Sequence, residues 1–201
     1  SDIFVTPNSL SSSPECLGLE ATIVGTGGDD EIHGTHERDV IVGLGGNDVI
    51  HGHGGDDVIC GGPGNDHLYG DDGNDRLDGG EGGDWLHGGW GHDDMMGGGG
   101  KDKLHGDDGN DRMDGGQGND ELHGGRDHDD MMGGSGNDKL YGDNGDDVMD
   151  GGKGRDELHG GRDHDDLKGG PGKDDLHGGR GDDDLVGGSG DDELHGGRGQ
   201  D

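Results

Sequence analysis

Gly115-Gly116-Gln117-Gly118-Asn119-Asp120-Glu121-Leu122-His123 decides how this chain folds, because the same nine-residue plan runs in phase on both sides of it. From Gly25 to Asp201 the sequence is written in nines without an insertion or deletion, as nineteen whole nonapeptides and the first six positions of a twentieth. Position 1 is glycine every time, from Gly25 and Gly34 to Gly196. Position 4 is glycine except at Glu37, Asp127 and Asp163, and position 8 is Ile, Leu or Met in all nineteen, from Ile32 and Ile41 to Leu194. Position 6 is aspartate in all twenty: Asp30, Asp39, Asp48, Asp57, Asp66, Asp75, Asp84, Asp93, Asp102, Asp111, Asp120, Asp129, Asp138, Asp147, Asp156, Asp165, Asp174, Asp183, Asp192 and Asp201.

Composition alone points elsewhere. Of 201 residues 56 are glycine, 49 are acidic and 14 are Lys or Arg, for a net charge of −35, and only 21% are apolar. A wide side-chain core is out of reach, and the bare numbers suit a disordered polyanion. Nucleic acid and anionic membrane are excluded as partners by charge, and no run of about 20 apolar residues is present for membrane insertion. Periodicity points instead to an ordered chain. One apolar residue in nine makes no helical stripe, and each glycine disfavours a helix by about 1 kcal/mol. The pattern predicts a six-residue glycine-rich turn and a three-residue strand whose middle side chain, position 8, faces inward. One such unit buries almost nothing, whereas stacked units bury a continuous ladder of Ile, Leu and Met.

The pattern Gly-Gly-x-Gly-x-Asp-x-Leu-x resembles the RTX (repeats-in-toxin) nonapeptide, over residues 25–201. Ala21-Thr22-Ile23-Val24-Gly25-Thr26 with the degenerate unit Gly34-Thr35-His36-Glu37-Arg38-Asp39-Val40-Ile41-Val42 is similar to the start of small secreted bacterial proteins of this class. The resemblance implies an all-β fold, a parallel β-roll with two nonapeptides per turn, about ten turns and calcium in the turns. It also implies that each ion sits between turns 18 residues apart, held by both position-6 aspartates and by carbonyls of the hexapeptides. The 18-residue period has support inside the sequence. At position 9 the odd repeats carry His33, His51, Tyr69, His87, His105, His123, Tyr141, His159, His177 and His195; the even repeats carry neither His nor Tyr there. A slower period of 36 overlies it, residues 97–132 and 133–168 being identical at 26 of 36 positions, as duplication of two-turn blocks would leave them.

Two rows of carboxylates about 4.8 Å apart repel without a counter-ion. Calcium suits them, since it takes six to eight oxygens, backbone carbonyls included, whereas magnesium holds its waters. Two rows of ten aspartates leave eighteen gaps, and eighteen divalent ions nearly cancel the charge of −35. The gaps at the ends and those touching Glu37, Asp127 and Asp163 are expected to be weaker. Because the free chain repels itself and has little to bury, calcium binding is expected to drive folding.

The His/Tyr row is an outward feature that the family does not require. Its plainest reading is ring stacking on a solvated sheet; a self-association or carbohydrate face and adventitious Zn²⁺ or Cu²⁺ binding are the alternatives. Catalytic signals are weak. His92-Asp93-Asp94, His128-Asp129-Asp130 and His164-Asp165-Asp166 look like acid/base clusters, but Asp93, Asp129 and Asp165 are position-6 residues. No zinc helix, nucleophile elbow or phosphate loop occurs, so the chain is read as a non-enzyme.

Residues 1–15, rich in serine and with Pro7 and Pro14, read as an irregular arm, and 16–24 as an N-terminal cap strand before the repeats at 25–201. Ser1 to Thr6 lacks the basic-then-apolar order of a signal peptide and reads as a mature N-terminus. In an extracellular setting Cys16 and Cys60 are expected to form a disulfide, two unrelated thiols being the alternative. The expected roles are a secreted structural calcium module or the repeat region of an adhesin or exoprotein; because the last repeat stops at position 6 without a cap, the other reading is a filament subunit stacking head to tail, with Ile3-Phe4-Val5 as donor strand, a tail beyond Asp201 being the alternative explanation of that end.

Overall fold

A computed structural model of the chain describes residues 13–201; the proposed donor segment Ile3-Phe4-Val5 and most of the arm lie outside the described residues. The repeats wind into a parallel β-solenoid. Odd repeats build one ten-stranded sheet; the nine even repeats, with Ile23–Val24 ahead of them, build the other. Every strand of these two sheets pairs in parallel with the strand 18 residues away, as in Leu86 with Leu104 and Met95 with Met113. The family-implied period and the odd/even split at position 9 therefore describe one geometry.

Strands are longer than the sequence pattern predicts. Beyond the first coils they run six residues, as in Lys103–Asp108 and Glu121–Arg126, covering positions 7 to 9 and the next positions 1 to 3. Only positions 4 to 6 are left as a turn. Parallel pairing continues through Gly and Asp because the next coil repeats the same backbone path, so ladder hydrogen bonds form there regardless of β-propensity. Two residues per strand face inward, the apolar position 8 and the glycine of position 1.

The core is a single file of position-8 side chains. Ile32, Ile41, Ile50, Ile59 and their successors through Leu176 form one cluster, with Ile23 and Leu185 packed at its ends. Each contributes roughly 1.5–3 kcal/mol when fully buried, and each pairs with another Ile, Leu or Met a coil away, as Ile50 with Leu68 and Met95 with Met113.

The N-terminal segment is a hairpin rather than a single cap strand. β1 (Glu15–Cys16) pairs antiparallel with β2 (Leu19–Glu20), and β3 (Ile23–Val24) then heads the even sheet beside Val40–Val42. The hairpin lies on the outer face of that sheet. It buries Val40, Val42 and Val58 together with Cys16, at positions that are solvent-facing in later coils. Cys16 and Cys60 are joined there by a disulfide with Cα atoms 5.7 Å apart.

Candidate metal centre

The position-6 aspartate closes each turn and points into the stack. From Asp48 to Asp183 its side chain is almost fully buried. One oxygen, Oδ1, accepts a hydrogen bond from the backbone N–H of the aspartate one coil earlier, as in Asp102 N–H to Asp120 Oδ1 at 2.8 Å and Asp120 N–H to Asp138 Oδ1 at 2.9 Å. The other oxygen, Oδ2, is buried and has no hydrogen-bond partner in any of the sixteen aspartates from Asp48 to Asp183. A native fold rarely leaves one buried acceptor unpaired, and sixteen in two rows fit a shared cationic ligand.

The glycines explain how those oxygens fit. At position 1 a Cβ on Gly115 would stand 2.8 Å from both Asp120 Oδ2 and the Gly133 carbonyl, so only glycine leaves the carboxylate its space. At most position-4 residues the chain turns through positive φ, and a Cβ on Gly100 would collide with the carbonyl of Gly82, one coil earlier. Asp127 and Asp163, which replace glycine there, keep the left-handed turn at φ 72° and 76°, a conformation that aspartate tolerates better than most residues. The backbone oxygens of successive position-4 residues thus aim along the stack beside the carboxylates. The donors gathered in each gap are all oxygen, carboxylate and carbonyl, which suits a hard cation such as calcium.

Electrostatics agree with a missing positive charge. Burial pushes the carboxyl of Asp129 up to about 8, and the nearby carboxylates of Asp147 and Asp111 add to it; the hydrogen bond from Asp111 N–H pulls the other way. Burial likewise raises Asp75, Asp93, Asp102, Asp138 and Asp165 to about 7. Asp57, Asp66, Asp84, Asp111, Asp147 and Asp156 rise to about 6. Protein groups alone thus leave these carboxyls weaker acids than an ordinary aspartate.

The first coil is different. Asp30 Oδ2 accepts from Thr26 N–H at 2.6 Å and Thr26 Oγ1 at 2.9 Å, and Asp39 Oδ2 accepts from Thr35 N–H at 2.7 Å and Thr35 Oγ1 at 2.9 Å. Threonine at position 2 satisfies these two aspartates without an ion, a role that the repeat pattern concealed. Reading in nines also passed over position 5, where side chains form a ladder of their own. Asp56 Oδ1 accepts from Asn74 N–H, Asn74 Oδ1 from His92 N–H, and His92 Nδ1 from Asn110 N–H, each at 2.9 to 3.0 Å. The signal was present as a run of Asp, Asn and His at that position. His128 and His164 Nδ1 likewise lie within hydrogen-bond distance of the backbone of Asp146 and Asp182, on both N–H and carbonyl. The structure brings the His-Asp-Asp clusters of residues 92–94 and 128–130 to one open groove, with Asp93 and Asp129 turned into the stack.

On the outer face of the odd sheet the His/Tyr row is a continuous ring stack from His33 to His195, with successive centroids 4.4 to 5.3 Å apart and planes within 18°. Trp85 stacks on His67 at 5.1 Å.

A parallel solenoid whose turns hold two files of buried carboxylates at an 18-residue pitch defines a class, that of repeat proteins built around cation-binding turns. The chain belongs to the RTX calcium-binding nonapeptide repeat family, which it matches over residues 21–36, 37–68, 69–104, 96–131, 105–140, 132–167, 141–176 and 168–201. No curated protein matches the chain at a significant level.

Proposed function

We propose that this calcium-repeat protein is a secreted structural module whose folding is conditional on calcium held by position-6 aspartates of successive coils. The observation that carries the reading is the set of sixteen buried Oδ2 atoms without a partner. They fall into two files of eight, giving fourteen gaps with an orphan oxygen on both sides; Asp192 and Asp201 extend the files further. In each gap two aspartates and carbonyls of the glycine-rich turns are the ligands, and the ion supplies the positive charge that the buried carboxylates lack. Free calcium outside the cell is ample for such sites, and the Cys16–Cys60 disulfide suits the same compartment. A scaffolding rather than catalytic role is supported by the engagement of His92, His128 and His164 Nδ1 with the backbone one coil along.

A calcium titration at about pH 8, starting in chelator and followed by circular dichroism and light scattering, tests the proposal. The expected outcome is a cooperative gain of β-structure with fourteen to eighteen ions bound. A β-rich spectrum in chelator at that pH, or fewer than about ten ions at saturation, overturns it. A rise in scattering that tracks folding would identify head-to-tail assembly as the role of the module; its absence leaves a monomeric spacer.

A further inference from the structure

Near one end of the odd sheet three successive strands carry an acid at position 7 and a histidine at position 9: Glu157 and His159, Asp175 and His177, Glu193 and His195. Both positions face outward, because the residue between them faces the core. At the far end of the row Glu31 Oε1 stands 3.6 Å from His33 Nε2, while Glu121 and Glu157 are engaged by lysines. Lys103 precedes His105, and Lys139 Nζ lies 2.7 Å from Glu157 Oε2. Asp175 is different. Its Oδ1 is buried and accepts no hydrogen bond, yet it stands 2.9 Å from His177 Nε2. The two atoms form an ion pair when His177 is protonated, and with the imidazole neutral they can face one cation as ligands.

His195 completes the set. Ligand atoms of Asp175, His177 and His195 all lie within 4.8 Å of one another, the one such trio among the described residues. We propose that these three side chains form a binding site for a zinc-class divalent transition metal, separate from the oxygen-lined turns. Two imidazole nitrogens and one carboxylate are the donors that Zn²⁺ favours over Ca²⁺. Tetrahedral ligands on zinc sit about 3.3 Å apart, so His195 has to swing inward. It is half-exposed and already tilted 18° from His177, the widest tilt along the row. Glu193, whose Oε1 lies 3.1 Å from His195 Nε2, or a water takes the fourth position.

The site requires the folded roll, so its test is made in millimolar calcium, with circular dichroism confirming that each variant is folded. Co²⁺ is titrated while its visible d–d absorption is recorded, and Zn²⁺ is then added as competitor. The expected result is one Co²⁺ with a tetrahedral spectrum, displaced by Zn²⁺. Affinity should fall at least about 30-fold in the His177→Gln/His195→Gln double variant and about tenfold or more in Asp175→Asn, while a control pair on the same row, His87→Gln/His105→Gln, keeps it. Absence of the tetrahedral band, unchanged affinity in the first pair, or equal loss in the control pair overturns the proposal. The last of these outcomes would mean diffuse binding along the whole histidine row.

Discussion

At the scale of single residues, glycine in this chain does three different jobs, and the structure separates them. Gly28 meets nothing within 4 Å where a Cβ would stand, and its backbone is not left-handed. Gly100 turns the chain at φ +140°, and its missing Cβ leaves room for the Gly82 carbonyl. Gly115 leaves room for a carboxylate. Gly28→Ala should therefore shift stability by no more than about 0.5 kcal/mol, whereas Gly100→Ala should cost at least about 1–3 kcal/mol from backbone strain and weaken the adjacent calcium gaps. Urea unfolding of the calcium-loaded variants compares them directly. The sequence marks both residues simply as glycine. Conformation and the identity of the atom opposite, one coil away, make the difference.

At the scale of elements, the hairpin of β1 and β2 is the part that does not obey the repeat. Its register follows from a local turn, with Leu17 and Gly18 at positive φ, and not from the 18-residue pitch. The disulfide fastens it across 44 residues to Cys60 on the even sheet. Beneath it Val40, Val42 and Val58 are buried. The first coil also satisfies Asp30 and Asp39 through Thr26 and Thr35, so these coils rely least on metal. In a solenoid such effects stay near the place where they arise, because each coil contacts only its neighbours. Replacing both cysteines with serine should cost roughly 2–4 kcal/mol, felt as lost hydrogen-exchange protection at Val42 and Val58 and not at Leu158 or Leu176. Equal loss along the whole rod would instead mean that the coils fold as one unit.

At the scale of the whole molecule, the two carboxylate files set the pH response. Their folded-state values, about 6 to 8 for the most buried members, stand above the ordinary 3.8 of the unfolded chain. Without calcium the folded coil therefore binds more protons than the unfolded chain across that window. Its stability is fullest below about pH 4 and is lost as pH rises toward 8. His105, lowered by burial and by His123 and His87, works in the opposite sense but is one group against two files. In chelator, circular dichroism should show more β-structure at about pH 4.5 than at pH 8. In millimolar calcium the order reverses, since the ion binds the deprotonated carboxylates. Identical pH profiles with and without calcium would separate the carboxylate files from metal binding.

By itself the sequence determined the coil: the period of nine, the doubling to eighteen at position 9, the inward file at position 8 and the two files of aspartates at position 6. A strictly repeated backbone path leaves no other way to bury one apolar residue in nine. Only the tertiary structure decided which aspartate oxygens are left without partners. That depends on a neighbour 18 residues distant and on whether position 2 is threonine. The tertiary structure also lengthened the strands through the glycines, since ladder pairing answers to the coil next door rather than to side-chain propensity. It singled out Asp175, His177 and His195 from a uniform row as well, because a ligand set is a matter of side-chain direction across two strands, and no one-dimensional pattern records direction.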